Sequence, residues 1–339
     1  MELLKKILNE AARAPSADNL QPWEFNLLSN TSFEIVPKNV GVDDHFYFNY
    51  KDRLTQIAIG ALLQNIKVVA AKHGYASNFS YKNWELGEVY VFVDLIKSDK
   101  EDSSLYEAVQ KRATLRVPYS REVDLELFEK IKFPNVSIHT DRDIVKQLAS
   151  DATINEQLVL TNKDLHTTFK KHITWSKKEE ETKKSGLLID TMGLNPVQKI
   201  AFQSIRWWGV LKRLNQIGFS KVIAKENAAM YESSAAMGIV SVASFTPEEV
   251  VHGGMIFQKT WLTFIKNDYW LQPVTGITFL CQMHREKSLS WIDKSFLKHA
   301  ERICPFLQTL VPKETYPLLL FRVGKSNKKP VYTRRKEIS

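Results

Sequence analysis

The chain has 339 residues, 44% of them hydrophobic, and a formal net charge of +9 at pH 7, enough apolar material for two modest cores or one large one. It contains no run of about 18 apolar residues, so no transmembrane helix is expected. The N-terminus, Met1 to Glu10, carries acids and lysines at helical spacing where a signal peptide would carry an apolar stretch and a small-residue cleavage site, and a cytoplasmic address is the expectation. Much of the positive excess is scattered, as in Lys177 and Lys178 beside Glu179, Glu180 and Glu181, a pattern that suits a solvated helix. No nucleic-acid motif accompanies it, so neither nucleic acid nor a membrane is an expected partner. The two cysteines, Cys281 and Cys304, are far apart and lack flanking ligands at metal spacing. They read as buried thiols, with no metal site.

In chain order, Leu3, Leu4, Ile7, Leu8, Ala11 and Ala12 share one helical face, and Pro15 ends that helix because the residue before a proline is pushed out of the α region. Gln21-Pro22-Trp23 leads into a strand, with Trp23 and Phe25 as buried supports. Asp43 to Phe48 reads as irregular. Leu54, Ile57, Ala58, Ala61, Leu62, Asn65, Val68 and Val69 then mark a long helix closing at Gly74, apolar on nearly every side and therefore buried. Glu88 to Ile96 is β-branched and aromatic, and so a strand.

An insertion at 160–235 follows, containing Trp175, a charged stretch and a basic aromatic helix from Phe202 to Ile217. Arg206, Lys212 and Arg213 beside Trp207 and Trp208 fit a helix on a membrane surface. A packed helix whose apolar residues cover the protein itself is the preferred reading. Val250 to Tyr269 is a second long helix, with Gly253-Gly254 matching Gly60-Ala61, and Pro317 to Val323 is a strand ending at Gly324. The helix-glycine-strand order thus occurs twice, as a degenerate internal repeat whose two long helices would form the interface between copies.

Two short runs carry the chemistry. Residues 14 to 25 read Ala-Pro-Ser-Ala-Asp-Asn-Leu-Gln-Pro-Trp-Glu-Phe, and residues 112 to 119 read Arg-Ala-Thr-Leu-Arg-Val-Pro-Tyr. The first resembles the flavin-edge loop of nitroreductase-like FMN flavoproteins, and the second their R-x-[ST]-x-R run. In the usual homodimer the basic run comes first and the loop follows, each FMN being held by one run from either subunit. Here the order is reversed within one chain. The resemblance is therefore to a tandem, Acg-like subgroup.

It implies an α+β fold with antiparallel-type sheets flanked by helices and long central interface helices. Residues 1–100 would be a truncated repeat that kept the loop, and 101–339 a fuller repeat that kept the basic run, with a lid at 160–235. One FMN per chain and a monomeric pseudo-dimer follow. By the family pattern Arg112 takes the phosphate and Arg116 the N1/O2 edge of the flavin. The segment with Pro273, Val274 and Thr275 stands where the family presents backbone N–H groups to N5 and O4, and Arg334 and Arg335 complete the phosphate site.

The residues themselves fit those roles. FMN brings a phosphate near −2 and a negative charge at N1/C2=O once reduced, so its site needs two cationic groups facing the same way. A spacing of four puts Arg112 and Arg116 on one face of a helix or a strand, while Thr114 joins them only in an extended segment. Arginine's planar fork donates two parallel hydrogen bonds to phosphate. Pro15 fixes the turn, and Ser16, Asn19 and Gln21 supply the donors and acceptors that a flavin edge requires. The alternative reading is a helix end, where Lys111 and Arg112 complement the carbonyls, and a simple turn at Asp18-Asn19.

The implied activity is hydride transfer from NAD(P)H through flavin N5 to a nitroaromatic or quinone-like acceptor, with no catalytic side chain required. No G-x-G-x-x-G follows a strand, so nicotinamide would stack on the flavin. His45, His73, His139, His252 and His284 read as isolated. A flavin-sequestering or redox-sensing protein without turnover is the alternative.

Overall fold

A computed structural model describes residues 1–38, 47–82, 90–131 and 133–338. His45 and most of the stretch expected to be irregular, 43–48, lie outside them. The architecture is α+β, with two four-stranded antiparallel sheets flanked by helices.

The first helix, α1 (Glu2–Ala11), buries Leu4, Ile7, Leu8 and Ala11, the spacing of a single helical face. Strands β1 (Trp23–Leu27) and β2 (Ser32–Pro37) form a hairpin, and helix α2 (Arg53–Lys72) leads to β3 (Tyr75–Lys82) and β4 (Tyr90–Lys97). These pair in the order β1-β2-β4-β3, all antiparallel. The predicted start of β4 at Glu88 falls outside the described residues.

Then come α3 (Tyr106–Lys111), α4 (Leu125–Lys130), β5 (Val136–His139), α5 (Arg142–Thr161) and α6 (Lys163–His172). The two-residue strands β6 (Ile173–Thr174) and β7 (Leu187–Leu188) pair in parallel around α7 (Lys177–Lys183). Helices α8 (Pro196–Ser204), α9 (Trp208–Gln216) and α10 (Phe219–Glu232) precede β8 (Ala236–Val242). The chain continues through α11 (Pro247–Lys266), β9 (Trp270–Pro273), α12 (Gly276–Arg285), α13 (Lys294–Thr309) and β10 (Tyr316–Gly324). The second sheet has the order β5-β8-β10-β9, again antiparallel. The sheets divide the chain by sequence: one uses residues 23–97, the other 136–324.

Helices α2 and α11 pack against each other in the middle of one continuous core. Their closest approach is reciprocal. A Cβ on Gly60 would fall 2.0 Å from the Val251 carbonyl oxygen, and a Cβ on Gly254 would fall 2.3 Å from that of Ile57. Each glycine thus admits the carbonyl three residues before the other. Gly60 is therefore equivalent to Gly254, whereas Gly253 faces Leu318 of β10 and Val242 of β8. Gln258 donates to Asn65 across the same seam at 2.7 Å, and Asn65 donates to the Ala11 carbonyl.

Three expectations need correction. The segment Tyr50–Lys72 is long and apolar enough to cross a membrane, at mean hydropathy 1.4, because a few polar residues interrupt any apolar run without lowering the average; 78% of its most apolar window is buried inside the protein. Cys281 and Cys304 are not thiols: the two half-buried sulfurs form a disulfide joining α12 to α13. Phe202 to Ile217 is not one packed helix. It breaks at Ile205–Trp207 into α8 and α9, Ile205 being pulled into a satellite core with Leu160 and Leu211 while Trp207, Val210 and Ile217 stay exposed.

Candidate anion-binding cleft

Helix α3 stops at Lys111, and Arg112 already has extended backbone (φ −60°, ψ 126°). From there Arg112, Thr114 and Arg116 all line one cleft, as an extended segment allows. Lys111 fits the helix-end reading, exposed and paired with Asp268 at 2.5 Å. Arg112 does not: it is 6% exposed and turned inward. The following segment is anchored by the fully buried Arg322 of β10, which donates to the Val117 and Met230 carbonyls at 2.8 and 3.0 Å and lies over the Tyr119 ring at 4.0 Å.

The opposite wall is the loop after α1. Pro15, Ser16, Asp18 and Asn19 line the cleft. Asp18, Asn19 and Gln21 take left-handed φ angles of 47°, 57° and 54°, a strained run of the kind that a surrounding framework must enforce. Gln21, 2% exposed, is the hub. Its N–H donates to Ser16 Oγ at 3.0 Å, and its side-chain amide donates to the Asn19 and Lys184 carbonyls. Its Oε1 accepts from the Lys336 N–H at 2.9 Å.

The C-terminal segment closes the cleft. Asn19 donates to the Arg334 carbonyl at 3.1 Å and accepts from the Arg335 guanidinium, while the Ile338 N–H donates to Asn9 at 2.9 Å. Arg334 itself points away, toward Glu181. The space left is about 90 Å³, smaller than the roughly 300–1,000 Å³ of a typical small-molecule site.

The electrostatics of this cleft are one-sided. Arg13, Arg112, Arg116 and Arg335 converge on it. Arg112 donates to the Arg13 carbonyl, Arg13 to the Gln110 carbonyl at 2.9 Å, and Arg116 to the Thr191 carbonyl at 3.3 Å. Among the described residues none of the four is in an ion pair with a carboxylate. The nearest acid, Asp18, is paired with His172 at 3.1 Å. Burial, and then the neighbouring Arg335 and Arg13, hold the Arg112 guanidinium well below its usual range. Burial also lowers Arg116, with Asp18 opposing, and burial together with Arg13 brings Arg335 down to about 10. The Nε atoms of Arg13 and Arg112 are buried without a partner. Like charges drawn together with donors to spare are the arrangement that an anion bearing several oxygens would satisfy.

Sequence reasoning located Pro15, Ser16, Asn19, Arg112, Thr114, Arg116 and Arg335 at one place. Pro273, Val274 and Thr275 do not line the cleft: the Val274 N–H is spent on the Leu320 carbonyl at 2.8 Å, and the Thr275 carbonyl caps into α12. Arg13 and Asp18 were missed although they border or fall within the first run. Gly186, Leu187 and Thr191 of the insertion also line the cleft; no local pattern marks them. Among the histidines read as isolated, His73 lies 3.3 Å from Glu10. Among the described residues no group of three or more His, Cys, Asp or Glu side chains is placed to hold a metal.

No protein-family model matches this chain. It is 20% identical over 342 residues to the uncharacterised protein MT1398 of Mycobacterium tuberculosis (strain CDC 1551 / Oshkosh), covering 97% of this chain and 47% of that protein. The chain thus spans about half the length of the curated relative it matches.

Proposed function

We propose that this chain is an FMN-binding, nitroreductase-like oxidoreductase in which two degenerate repeats, 1–100 and 101–339, are fused as an intramolecular pseudo-dimer. One observation carries the reading: the Pro15–Asn19 loop of the first half and the Arg112–Arg116 run of the second meet across one cleft with four arginines, one buried and three half-buried, that have no carboxylate partner among the described residues. The division of the strands into two antiparallel sheets and the reciprocal Gly60 and Gly254 contacts support the tandem arrangement. A monomer with one FMN follows, and a cytoplasmic address remains part of the reading, with the Cys281–Cys304 disulfide the feature that a reducing cytosol would open.

The phosphate end fits the residues present. Arg112 and Arg335 would hold the phosphate through charge-assisted hydrogen bonds, with Arg13 adding charge beside them and Thr114 a hydroxyl. Arg116 would face the N1/O2 edge, and Ser16 and Asn19 the polar rim of the ring. FMN, when bound, supplies hydride chemistry between NAD(P)H and a nitroaromatic or quinone-like acceptor. The protein's part is to bind, orient and exclude water. Gly186, Leu187 and Thr191 would serve as a lid, and the C-terminal segment must move for a ring to enter. That closure favours the second reading, a flavin-sequestering or redox-sensing protein without steady turnover.

The experiment is the visible spectrum of the purified chain, the flavin-to-chain ratio after denaturation, and NAD(P)H consumption with a nitroaromatic or quinone acceptor. Yellow protein at one FMN per chain with steady turnover supports the enzyme. A bleachable flavin without turnover supports the second reading. Protein that stays colourless when FMN is supplied overturns both.

A further inference from the structure

Residues 191–225 contain six lysines and arginines and no aspartate or glutamate. Lys199 is taken by Asp190; no ion pair among the described residues engages Arg206, Lys212, Arg213, Lys221 or Lys225. The same stretch holds the largest concentration of exposed apolar side chains. Val197, Ile200, Trp207 and Ile217 keep between 60% and 81% of their surface in solvent.

The helix α9 explains how both features reach one surface. Leu211 is fully buried and Trp208 packs beside it against Leu160 and Ile205. Away from that contact, Val210 and Arg213 sit three residues apart and exposed on α9, Arg206 and Trp207 are exposed in the break just before it and Ile217 is exposed at its C-terminal end, with the Arg206 guanidinium 5.0 Å from the Trp207 ring. Arg206 and Trp207 also line a groove of about 420 Å³ with Trp175, Lys170 and Lys171, where Lys183 is paired with Glu179 at 2.5 Å. Among the described residues nothing covers this face.

We propose that α9 and its flanks dock on the surface of an anionic lipid bilayer. The interleaving of cations with aliphatic side chains and a tryptophan is what a phospholipid interface accepts at once, lipid phosphates taking the cations and the acyl boundary the apolar groups. A polyphosphate backbone would leave Val210 and Ile217 without a partner. A second copy in a two-fold contact would set the cationic face against itself. This inference does not rest on the flavin reading.

The test uses the full chain and two sets of vesicles, phosphatidylcholine alone and phosphatidylcholine mixed with phosphatidylglycerol, with co-sedimentation measured at several salt concentrations. The chain is expected to sediment with the anionic vesicles and to be released by salt. R206Q with R213Q should weaken binding about 25-fold, about fivefold for each charge near the surface, and flatten the salt dependence. V210S with I217S should weaken binding at every salt concentration without changing the slope. Unchanged melting temperatures of these surface variants keep the comparison fair. Protein left in the supernatant with both vesicle types at low salt overturns the proposal. So does vesicle binding that both variants retain in full, or capture of duplex DNA or self-association in place of vesicle binding.

Discussion

Replacing Arg112 with glutamine distinguishes an anion receptor from an ordinary buried arginine. Without ligand, the substitution removes a charge-assisted bond to the Arg13 carbonyl and the stacking of the guanidinium on Trp261 at 4.8 Å. Those contacts contribute about 1.5–3 kcal/mol and about 0.5–2 kcal/mol respectively. Opposing them, it removes a buried cation that Arg335 and Arg13 repel, a cost whose sign is given by the lowered proton affinity of Arg112. The two sides offset, so the urea unfolding free energy of the ligand-free protein should change by no more than about 1–2 kcal/mol. With a phosphate ligand, two parallel bonds of about 1.5–3 kcal/mol each are lost. FMN affinity, read from flavin fluorescence quenching, should then fall about 10²- to 10⁴-fold. Arg112→Lys keeps the charge but not the fork and should lie between. A ligand-free variant destabilised by about 3–5 kcal/mol, the cost of breaking a buried ion pair, together with unchanged FMN affinity, would refute the reasoning.

The helix seam can be probed directly. Gly60→Ala or Gly254→Ala drives a methyl group into a backbone carbonyl and should destabilise by about 2–4 kcal/mol in chemical denaturation. Gly209→Ala in α9, with open space around it, should instead gain up to about 1 kcal/mol from helix propensity. Burial raises Glu156 from 4.5 to about 7 despite hydrogen bonds from Tyr231 and Asn227. Its contribution to stability is therefore present below pH 4.5 and lost as pH rises through 7, about 3 kcal/mol at most. Glu156→Gln should flatten that part of the stability curve measured by urea unfolding at several pH values. Reducing Cys281–Cys304, separated by 23 positions, should lower the unfolding free energy by about 3 kcal/mol through loop-closure entropy; no change on adding reductant would mean that the bond does not constrain the unfolded chain.

The elements legible in the sequence were those whose signal is local. Helices α1, α2 and α11 repeat apolar residues at helical spacing, β4 is a β-branched and aromatic run and β10 an apolar one rich in leucine, and Gly74 and Gly324 mark their boundaries. The two short runs that line the cleft were equally local. Helix α5 was not foreseen, because its buried face is interleaved with Asp151, Thr153 and other polar residues whose burial depends on α10 and α12. Strand β3 alternates only over Asn78–Lys82, and even its inward aromatic residues, Phe79 and Tyr81, stay half-buried, so its apolar signal is weak.

The order of residues determined by itself the backbone preferences of each segment and the charge and apolar character each face would carry. Only the tertiary structure decided which faces would meet. It placed Arg335 on Asn19, 316 positions away, brought Cys281 to Cys304, and left Trp207 and Ile217 exposed at the two ends of α9. Such encounters depend on how α2, α11 and the two sheets pack, because a side chain specifies what it can bond to but not which distant partner the folded chain will bring within reach.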